Sequence, residues 1–328
     1  MQYDILMPCF PILDVMIPIE GELPIEAGTS IVAHRIQDEA GGPANTFFAA
    51  ARMGASVLPV GAVGDDDHGR FLLRTYQEEG IDTSCVLLRP GYATPQALCI
   101  NDKSGRHAFI TMVHGELPVS AGSLCGYLDR ARSLALTGYT LASPNVEGAM
   151  LQLLRRAREL RREVFFDPGP LIDNISAPLL RETLAIATVL IVNDEEAARL
   201  SGEGTVETMA EALRDKSRGT IVVKAGSRGC YILHQGGGCW YPGFRVPLRD
   251  TTGAGDSFMG AFMHGWLSGW DIRTVATLSN AAGAVKTAKS GSGRQVPTFR
   301  EVAALLRRDG YPVPEANERA GKFVCLAF

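Results

Sequence analysis

Short apolar segments alternate with helical ones from about residue 120 onward, and this alternation restricts the possible folds more than any other feature of the sequence. Residues 147–162 have the pattern of a helix, and Ala187 to Val192 is an apolar segment of strand length that contains one threonine, Thr188. Strands that alternate with helices along a chain predict a mostly parallel sheet with helices on both faces. The 328 residues are enough for one large α/β domain or two ordinary domains, and no internal repeat or long linker divides them.

Composition and charge argue against several classes of function. Hydrophobic residues make up 46% and charged residues 21%, and the net charge of −4 gives no reason to expect a nucleic-acid or anionic-membrane partner. No apolar run reaches the ~18–20 residues that span a bilayer. Residues 2–12 lack a basic start and a cleavage site, so we expect a buried strand there rather than a signal peptide. The seven cysteines are scattered singly, which favours reduced thiols in the cytoplasm over disulfides or a zinc site.

A glycine-containing turn within residues 250–258 (DTTGAGDSF) leads into a helix. Phe258, Phe262 and Trp266 repeat at four-residue spacing, which predicts a helix that starts near Asp256. Such a turn offers unpaired backbone N–H groups and the positive end of a helix dipole, and both suit a phosphate or a developing anion. Asp256 could cap the helix or take a proton from a hydroxyl beside the anion site. A lone G-x-G-D would be explained by a capped helix, but nine consecutive residues are more specific.

The pattern D-T-x-G-A-G-D-x-F resembles the second signature of the PfkB/ribokinase family of sugar and nucleoside kinases. The run G-G-x-x-N at residues 41–45, followed by A-x-R-x-G-A and V-G-D-D-x-x-G, resembles the family's first signature. The resemblance extends over residues 3–305. It implies an ATP-dependent kinase with a ribokinase-like α/β fold, in which one domain (1–328) has a doubly wound, mostly parallel central sheet, flanking helices and a small β-sheet lid.

The lid of the family covers the sugar and often forms the dimer contact, so the resemblance implies a homodimer formed through the lid. Its segments here would be residues 15–40 and 92–114. Within them, residues 93–101 and 106–113 have the pattern of two strands joined by a hairpin turn. His107 and His114 fall in or just after these strands, and we expect them to be surface residues.

The resemblance also implies which residues bind the sugar-like acceptor, a small molecule. They are Asp14, Gly41, Gly42, Asn45 and Asn145. Asp14 follows the first strand, where relatives hold sugar hydroxyls, although Cys9 stands where the family usually has a glycine. Asn45 can both donate to and accept from hydroxyls. Asn145 follows a strand-like segment and would face the substrate beyond the carboxyl ends of parallel strands.

A second set of residues would bind ATP and Mg²⁺. The segment Asn193 to Glu196 resembles the family's N-x-x-E element, which implies that Asn193 contacts the nucleotide and that Glu196 holds Mg²⁺ through water. A helix dipole alone would also favour acids at this position. Further nucleotide contacts implied by the resemblance are Lys224, Gly226, Ser227, Gly229, Thr251 and Asn280. Lys224 could reach a phosphate as a point charge, although a plain hairpin turn would explain the glycines that follow it.

A monovalent cation is a further candidate ligand. In many relatives the last loops hold such an ion together with residues equivalent to Asp250 and Thr252, so K⁺ is a candidate cofactor beside ATP and Mg²⁺. Gln295 stands where a small residue would be expected, which argues against a potassium requirement.

The resulting hypothesis is phosphoryl transfer from ATP to a hydroxyl of a small sugar or sugar acid. Asp256 would be the general base, and the backbone N–H groups of Gly253, Ala254, Gly255 and Asp256 would form the anion hole. A phosphorylated acceptor would need a basic pocket, but the lid offers only Lys103, Arg106 and Arg35, and the first two sit at or beside the hairpin turn. We therefore favour an unphosphorylated acceptor.

Three other functions compete with this hypothesis. A nucleoside kinase would need an aromatic residue in the lid to stack a base, and residues 93–113 offer only Phe109, with Tyr92 at their edge. A non-catalytic sugar-sensing protein could have lost Asp256, which is present. A nicotinamide-dependent dehydrogenase is disfavoured because no G-x-G-x-x-G follows the first strand.

Overall fold

A computed structural model gives the structure of residues 2–33, 35–104, 106–112, 119–235, 237–315 and 324–325. The strands are β1 (Tyr3–Pro8), β2 (Ile12–Pro18), β3 (Gln37–Gly41), β4 (Val57–Gly64), β5 (Val86–Arg89), β6 (Gln96–Asn101), β7 (His107–Thr111), β8 (Ala131–Thr137), β9 (Glu163–Asp167), β10 (Val189–Asn193), β11 (Thr220–Lys224), β12 (Gly229–His234), β13 (Gly237–Pro242), β14 (Pro314–Glu315) and β15 (Val324–Cys325). The helices are α1 (Pro43–Met53), α2 (Asp67–Glu78), α3 (Ala121–Leu128), α4 (Gly138–Leu141), α5 (Glu147–Glu159), α6 (Ala177–Ile186), α7 (Asp194–Ser201), α8 (Val206–Leu213), α9 (Ala254–Leu267), α10 (Ile272–Thr287) and α11 (Phe299–Arg308).

The central sheet has nine strands in the order β13-β12-β11-β10-β9-β8-β1-β4-β5. The pairs from β11 to β5 are parallel, and only β12 and β13 add to the edge in antiparallel orientation. From β1 the chain first builds outward through β4 and β5, and it then returns to β8 and builds the other half. This reversal is the signature of a doubly wound sheet, so the predicted fold class is confirmed.

Both faces of the central sheet are buried, as a parallel sheet with helices on each side requires. Along β10, Leu190 and Val192 belong to one apolar cluster, whereas Val189 and Ile191 belong to the cluster on the opposite face. Continuous apolar strands such as β10 therefore follow directly from the two-sided burial. No helix in the described part of the chain is both long enough and apolar enough to cross a bilayer.

A smaller sheet has the order β3-β2-β6-β7. Strands β6 and β7 pair antiparallel, which confirms the predicted hairpin. Asp14 on β2 lies opposite Glu39 on β3 and Ala97 on β6. The role of this sheet as a lid stays a prediction, and of the predicted lid segments residues 34, 105, 113 and 114, including His114, lie outside the described residues.

Helices α1 and α9 pack unusually closely because Gly260 has no side chain. A Cβ atom on Gly260 would lie 2.6 Å from the backbone nitrogen of Ala50 and 2.8 Å from the carbonyl oxygen of Thr46. This close crossing brings the first turn of α1, with Asn45 and Thr46, beside the N-terminus of α9.

Candidate active site

The N-terminus of α9 lies at the centre of the candidate site. Gly253 has φ 74°, a left-handed conformation that glycine adopts without strain, and it turns the chain into the helix. The N–H group of Ala254, which was predicted to bind the anion, instead donates to the carbonyl oxygen of Thr251 at 3.1 Å. The N–H groups of Gly253, Gly255 and Asp256 have no hydrogen-bond partner in the described part of the chain, and they can receive an anion.

Asp256 is half-buried in the first turn of α9. The hydroxyl of Thr46 donates a hydrogen bond of 2.6 Å to its carboxylate. Burial raises the pKa of Asp256 to about 6, against the opposing effects of the Thr46 hydrogen bond and of Lys224. The carboxylate is therefore a stronger base than a surface aspartate and is still mostly ionised at neutral pH.

Asp14 and its neighbours form the wall opposite Asp256. Asp14 is only 6% exposed, and burial raises its pKa to about 6, with a lowering hydrogen bond from Ser292 and a further raising effect of Asp256. A Cβ atom on Gly41 would lie 1.9 Å from the Asp14 carboxyl carbon, so glycine is required there. Gly42 has φ 51° and precedes α1.

Asn45 connects this wall to the anion-binding turn. Its side-chain oxygen accepts a 2.7 Å hydrogen bond from the backbone N–H of Gly293. Its Cγ atom lies 3.4 Å from the position that a Cβ atom on Gly253 would take. Asn145 is exposed at φ 60° before α5, and no hydrogen bond among the described residues joins it to this group. The structure thus brings Asp14, Asn45 and Asp256 together, and a contact of Asn145 with the acceptor stays a prediction.

A charged cluster lies on the other side of the turn, where the adjacent parallel strands β9, β10 and β11 end. The Lys224 ammonium forms an ion pair of 2.8 Å with the Asp167 carboxylate. Burial raises the pKa of Glu196 to about 7, with a further raising effect of Asp167 and a lowering effect of Lys224. A Cβ atom on Gly255 would lie 3.3 Å from the Lys224 nitrogen, so the lysine adjoins the N-terminus of α9.

Asn193 and Glu196 form a capping box at the start of α7. The Asn193 side chain accepts from the Glu196 N–H at 2.7 Å, and the Glu196 carboxylate accepts from the Asn193 N–H at 2.8 Å. This reciprocal pair satisfies two helix N–H groups, so both residues have a structural function. Their contact with nucleotide and Mg²⁺ stays a prediction.

The remaining predicted nucleotide residues lie around the β11–β12 connection and α10. Gly226 has φ 56°, Ser227 is exposed, and Gly229 has φ 97° with no room for a side chain, because its Cβ would lie 2.1 Å from the Tyr241 oxygen. Asn280 donates through its side-chain nitrogen to the backbone oxygens of Tyr241 (3.1 Å) and Pro242 (3.2 Å). That nitrogen ties α10 to β13 and is therefore already engaged. Thr251 is exposed beside Gly253.

Asp250 organises the loops behind the turn. Its carboxylate accepts from the N–H groups of Thr252 (2.9 Å) and Gly291 (2.8 Å). Lys286, at the end of α10, is fully buried, and its Cε lies 3.5 Å from where a Cβ atom on Gly253 would be. Burial lowers the pKa of Lys286, whereas Asp250 and Asp256 act in the opposite direction.

Comparison with known proteins identifies the family. A model of the pfkB family carbohydrate kinases matches residues 12–299. The chain belongs to this family. An ATP-dependent ribose-1-phosphate kinase of Halopiger xanaduensis is 30% identical over 293 residues, which are 89% of this chain and 94% of that protein. A 5-dehydro-2-deoxygluconokinase of Shouchella clausii is 27% identical over 291 residues, 81% of this chain and 85% of that protein.

A solved structure has the same fold. A putative ribokinase II of E. coli, in complex with ATP and Mg²⁺, superposes with a TM-score of 0.80 at 19% identity over 93% of this chain and 99% of that chain. This likeness confirms the ribokinase-like fold. The family membership, with relatives such as the ATP-dependent ribose-1-phosphate kinase, identifies the protein as an ATP-dependent carbohydrate kinase.

Three residues of this pfkB-family site were not predicted from the sequence. Thr46, Asp167 and Lys286 contact or adjoin the central groups, but none was predicted to belong to the site. Thr46 directly follows Asn45 of the first signature, and Asp167 ends a strand, so each had a local signal. Lys286 had none, because a lysine in the last turn of a helix is ordinarily exposed.

Proposed function

We propose that this kinase transfers the γ-phosphoryl group of ATP to a hydroxyl of a small sugar or sugar acid, with Asp256 as the general base. The observation that carries the proposal is the Asp256 carboxylate, with a pKa of about 6, beside three unpaired N–H groups at one helix N-terminus. The acceptor oxygen attacks the γ-phosphorus, the bond from that phosphorus to ADP breaks, and the hydroxyl proton passes to Asp256.

The backbone around Asp256 supports the transfer electrostatically. The N–H groups of Gly253, Gly255 and Asp256 and the positive end of the α9 dipole would stabilise charge on the transferring phosphoryl group. Lys224 adds a positive charge next to Gly255. These groups are fixed before the reaction, so they need no reorganisation as charge develops.

The residues around Glu196 are compatible with Mg²⁺. Asp167 raises the pKa of Glu196, and a divalent cation between such crowded carboxylates would relieve their repulsion. The described residues contain no cluster of three or more His, Cys, Asp or Glu side chains suited to a metal. Mg²⁺ bound chiefly by phosphates and water, with Glu196 as an outer partner, accords with both observations. Mg²⁺ would supply charge neutralisation at the phosphates.

Polar and charged groups support a sugar-like acceptor. Asp14 and Asn45 would hold hydroxyls, with Gly41 and Gly42 allowing close approach. A cavity of about 420 Å³ is lined by Met16, which lies on the same face of β2 as Asp14. Its other lining residues include the cations Arg35, Lys103 and Arg249 and the anions Glu39, Asp102 and Asp250. The carboxylate of a sugar acid would pair with one of these cations, and the hydroxyls of a sugar would donate to the anions.

We also propose a homodimer in the cytoplasm, formed through the small sheet. Alternate residues place Leu98 and Ile110 on the face of that sheet opposite Asp14, and they are paired across β6 and β7. Ile110 is 61% exposed. An exposed apolar side chain on an edge strand favours association with a second sheet.

The test is ADP release with ATP and a panel of sugars, sugar acids, polyols, nucleosides and sugar phosphates. We expect release with a sugar or sugar acid, and we expect Asp256→Asn to lower kcat by the ~10²–10⁴-fold typical of a lost general base. Asp271→Asn is the matched control, since Asp271 also lies at a helix N-terminus, as the cap of α10. Near-normal turnover of Asp256→Asn would refute the role of Asp256. ATP binding without ADP release across the whole panel would favour the sugar-sensing alternative.

A further inference from the structure

Lys286 is a fully buried lysine directly behind the anion-binding turn. None of its surface is exposed, and it is among the largest fully buried side chains of the described residues. Its ammonium donates one hydrogen bond, of 3.3 Å, to the backbone oxygen of Lys289. An ammonium group has three donors, and burying such a charge is costly unless the surroundings compensate it. The proposed mechanism assigns Lys286 no function.

The surroundings of Lys286 offset part of that cost, although the nearby Lys289 acts against the charge. Asp250 is the carboxylate with the largest opposing effect on its lowered pKa, followed by Asp256. The carbonyl oxygen of Thr287 accepts from the N–H groups of Arg249 and Asp250, which fixes the end of α10 against the loop that carries Asp250. The negative end of the α10 dipole favours a cation in the same place. Lys286 is thus a resident positive charge between the Asp250 loop and the turn at Gly253.

These residues do not fit a K⁺ ion in addition to Lys286. Both carboxylate oxygens of Asp250 already accept backbone N–H groups. The hydroxyl of Thr252 is buried without a hydrogen-bond partner in the described part of the chain, but it is a single neutral oxygen. A second cation beside a buried ammonium would be repelled strongly, because such charges are poorly screened away from water.

We infer that the Lys286 ammonium takes the place of a monovalent cation, so that the kinase needs no K⁺. Lys286 acts as a positioning residue. Its positive charge offsets the negative charge of Asp250, and its side chain packs against the turn at Gly253. The functional part of this inference rests on the proposed kinase mechanism, but the predicted absence of a cation site in the wild-type protein does not.

The experiment compares KCl with tetramethylammonium chloride at equal ionic strength. Two quantities are measured, kcat for the accepted substrate and the thermal unfolding midpoint of the ligand-free protein. For wild type, we expect both quantities to be the same in the two salts. For Lys286→Ala, which removes the charge and leaves room for an ion, we expect kcat to fall at least ~10-fold in tetramethylammonium and to recover partly in KCl. We also expect KCl to raise the midpoint of this variant.

Two further variants separate the charge from the space it occupies. Lys286→Met is neutral but fills the same volume, so we expect it to lose activity without recovery in KCl. Lys289→Met removes a nearby ammonium that pairs with Glu301 at 2.9 Å and keeps the backbone oxygen, so we expect wild-type behaviour in both salts.

Each result decides the inference. A wild-type protein that requires KCl, or whose midpoint KCl raises, would overturn it even if no variant folded. Full activity of Lys286→Ala without KCl, or a loss that KCl does not restore, would also overturn it. If no acceptor supports ADP release, the proposed function fails, while the midpoints of wild type and Lys286→Ala still test the cation replacement.

Discussion

The basicity of Asp256 is set by contacts that act in opposite directions. Burial raises its pKa, whereas the Thr46 hydroxyl, which donates at 2.6 Å, lowers it. As the proposed general base, Asp256 must remain ionised at the working pH and still hold a proton during transfer, and a pKa of about 6 meets both requirements. The Thr46 hydrogen bond keeps burial from raising the pKa further.

Replacement of Thr46 tests this balance. Thr46→Val removes the donor without changing the shape of the side chain, so the pKa of Asp256 should rise and the acidic limb of kcat/KM should move to higher pH, by roughly one pH unit. The sign follows because the active form is the carboxylate, whose population at a given pH falls as its pKa rises. Thr46→Ser keeps the hydroxyl and should retain the wild-type profile. An unshifted limb in Thr46→Val would assign that limb to another group.

Residues of the site differ in how far the sequence predicts them. Asp256 and Gly253 belong to one continuous turn, so their proximity follows from local pattern alone. The Thr46–Asp256 contact joins residues 210 positions apart, and the Lys224–Asp167 ion pair joins residues 57 positions apart. Such pairs depend on the order of strands in the sheet, which no local pattern specifies.

At the scale of elements, two helices begin with the same capping box. Asn193 and Glu196 cap α7, and Thr298 and Glu301 cap α11. The local geometry is alike, but only the α7 box lies at the carboxyl ends of the parallel strands, beside Asp167 and Lys224. Position in the sheet therefore separates a cap with a proposed role in Mg²⁺ binding from a purely structural cap.

A substitution that removes the negative charge at each capping box distinguishes Mg²⁺ binding from helix capping. Glu196→Gln can still accept from the Asn193 N–H, so we expect its thermal unfolding midpoint to be kept or raised at neutral pH. It should need more Mg²⁺ for half-maximal activity, because the negative charge is lost. Glu301→Gln should leave the Mg²⁺ dependence of the kinase unchanged. Equal Mg²⁺ titrations for wild type and Glu196→Gln would leave Glu196 with the capping function alone.

The close crossing of α1 and α9 depends on Gly260, and it positions Thr46 beside Asp256. The four-residue spacing of Phe258, Phe262 and Trp266 predicted helix α9, but nothing in that spacing indicates that Gly260 is the point of contact. Gly260→Ala would place a methyl group 2.6 Å from the Ala50 nitrogen, and it should cost ~1–3 kcal/mol as an overpacked contact. Because the helices must separate, the Thr46–Asp256 hydrogen bond should lengthen and kcat should fall.

Denaturant unfolding and kcat measure this prediction together. Gly148→Ala is the control, because Gly148 lies in α5 and a Cβ atom there would meet nothing within 4 Å. That substitution should stabilise the protein by ~0.5–1 kcal/mol without affecting kcat. Unchanged stability and activity in Gly260→Ala would mean that the helix contact tolerates a methyl group.

At the scale of the whole molecule, the doubly wound topology assembles the site from distant segments. Strands β9, β10 and β11 are adjacent and parallel, so Asp167, Asn193 and Lys224 meet at one edge of the sheet. The turn at Gly253 approaches this edge from the later part of the chain, and Asp14 approaches it from the small sheet. The alternating pattern predicted the parallel sheet, and the family resemblance pointed to Asp14, Asn193, Lys224 and the turn at Gly253, but not to Asp167.

The face of the small sheet opposite Asp14 makes a further prediction about the whole molecule. Leu98 and Ile110 are paired on this face, and Leu98→Lys combined with Ile110→Lys should convert the proposed homodimer into a monomer, because charges there oppose burial. Light scattering after size exclusion measures the mass directly. Leu248→Lys is the control, since Leu248 is 69% exposed but lies outside the small sheet. This variant should remain dimeric. A monomeric wild type, or a double variant that stays dimeric, would exclude this face as the interface.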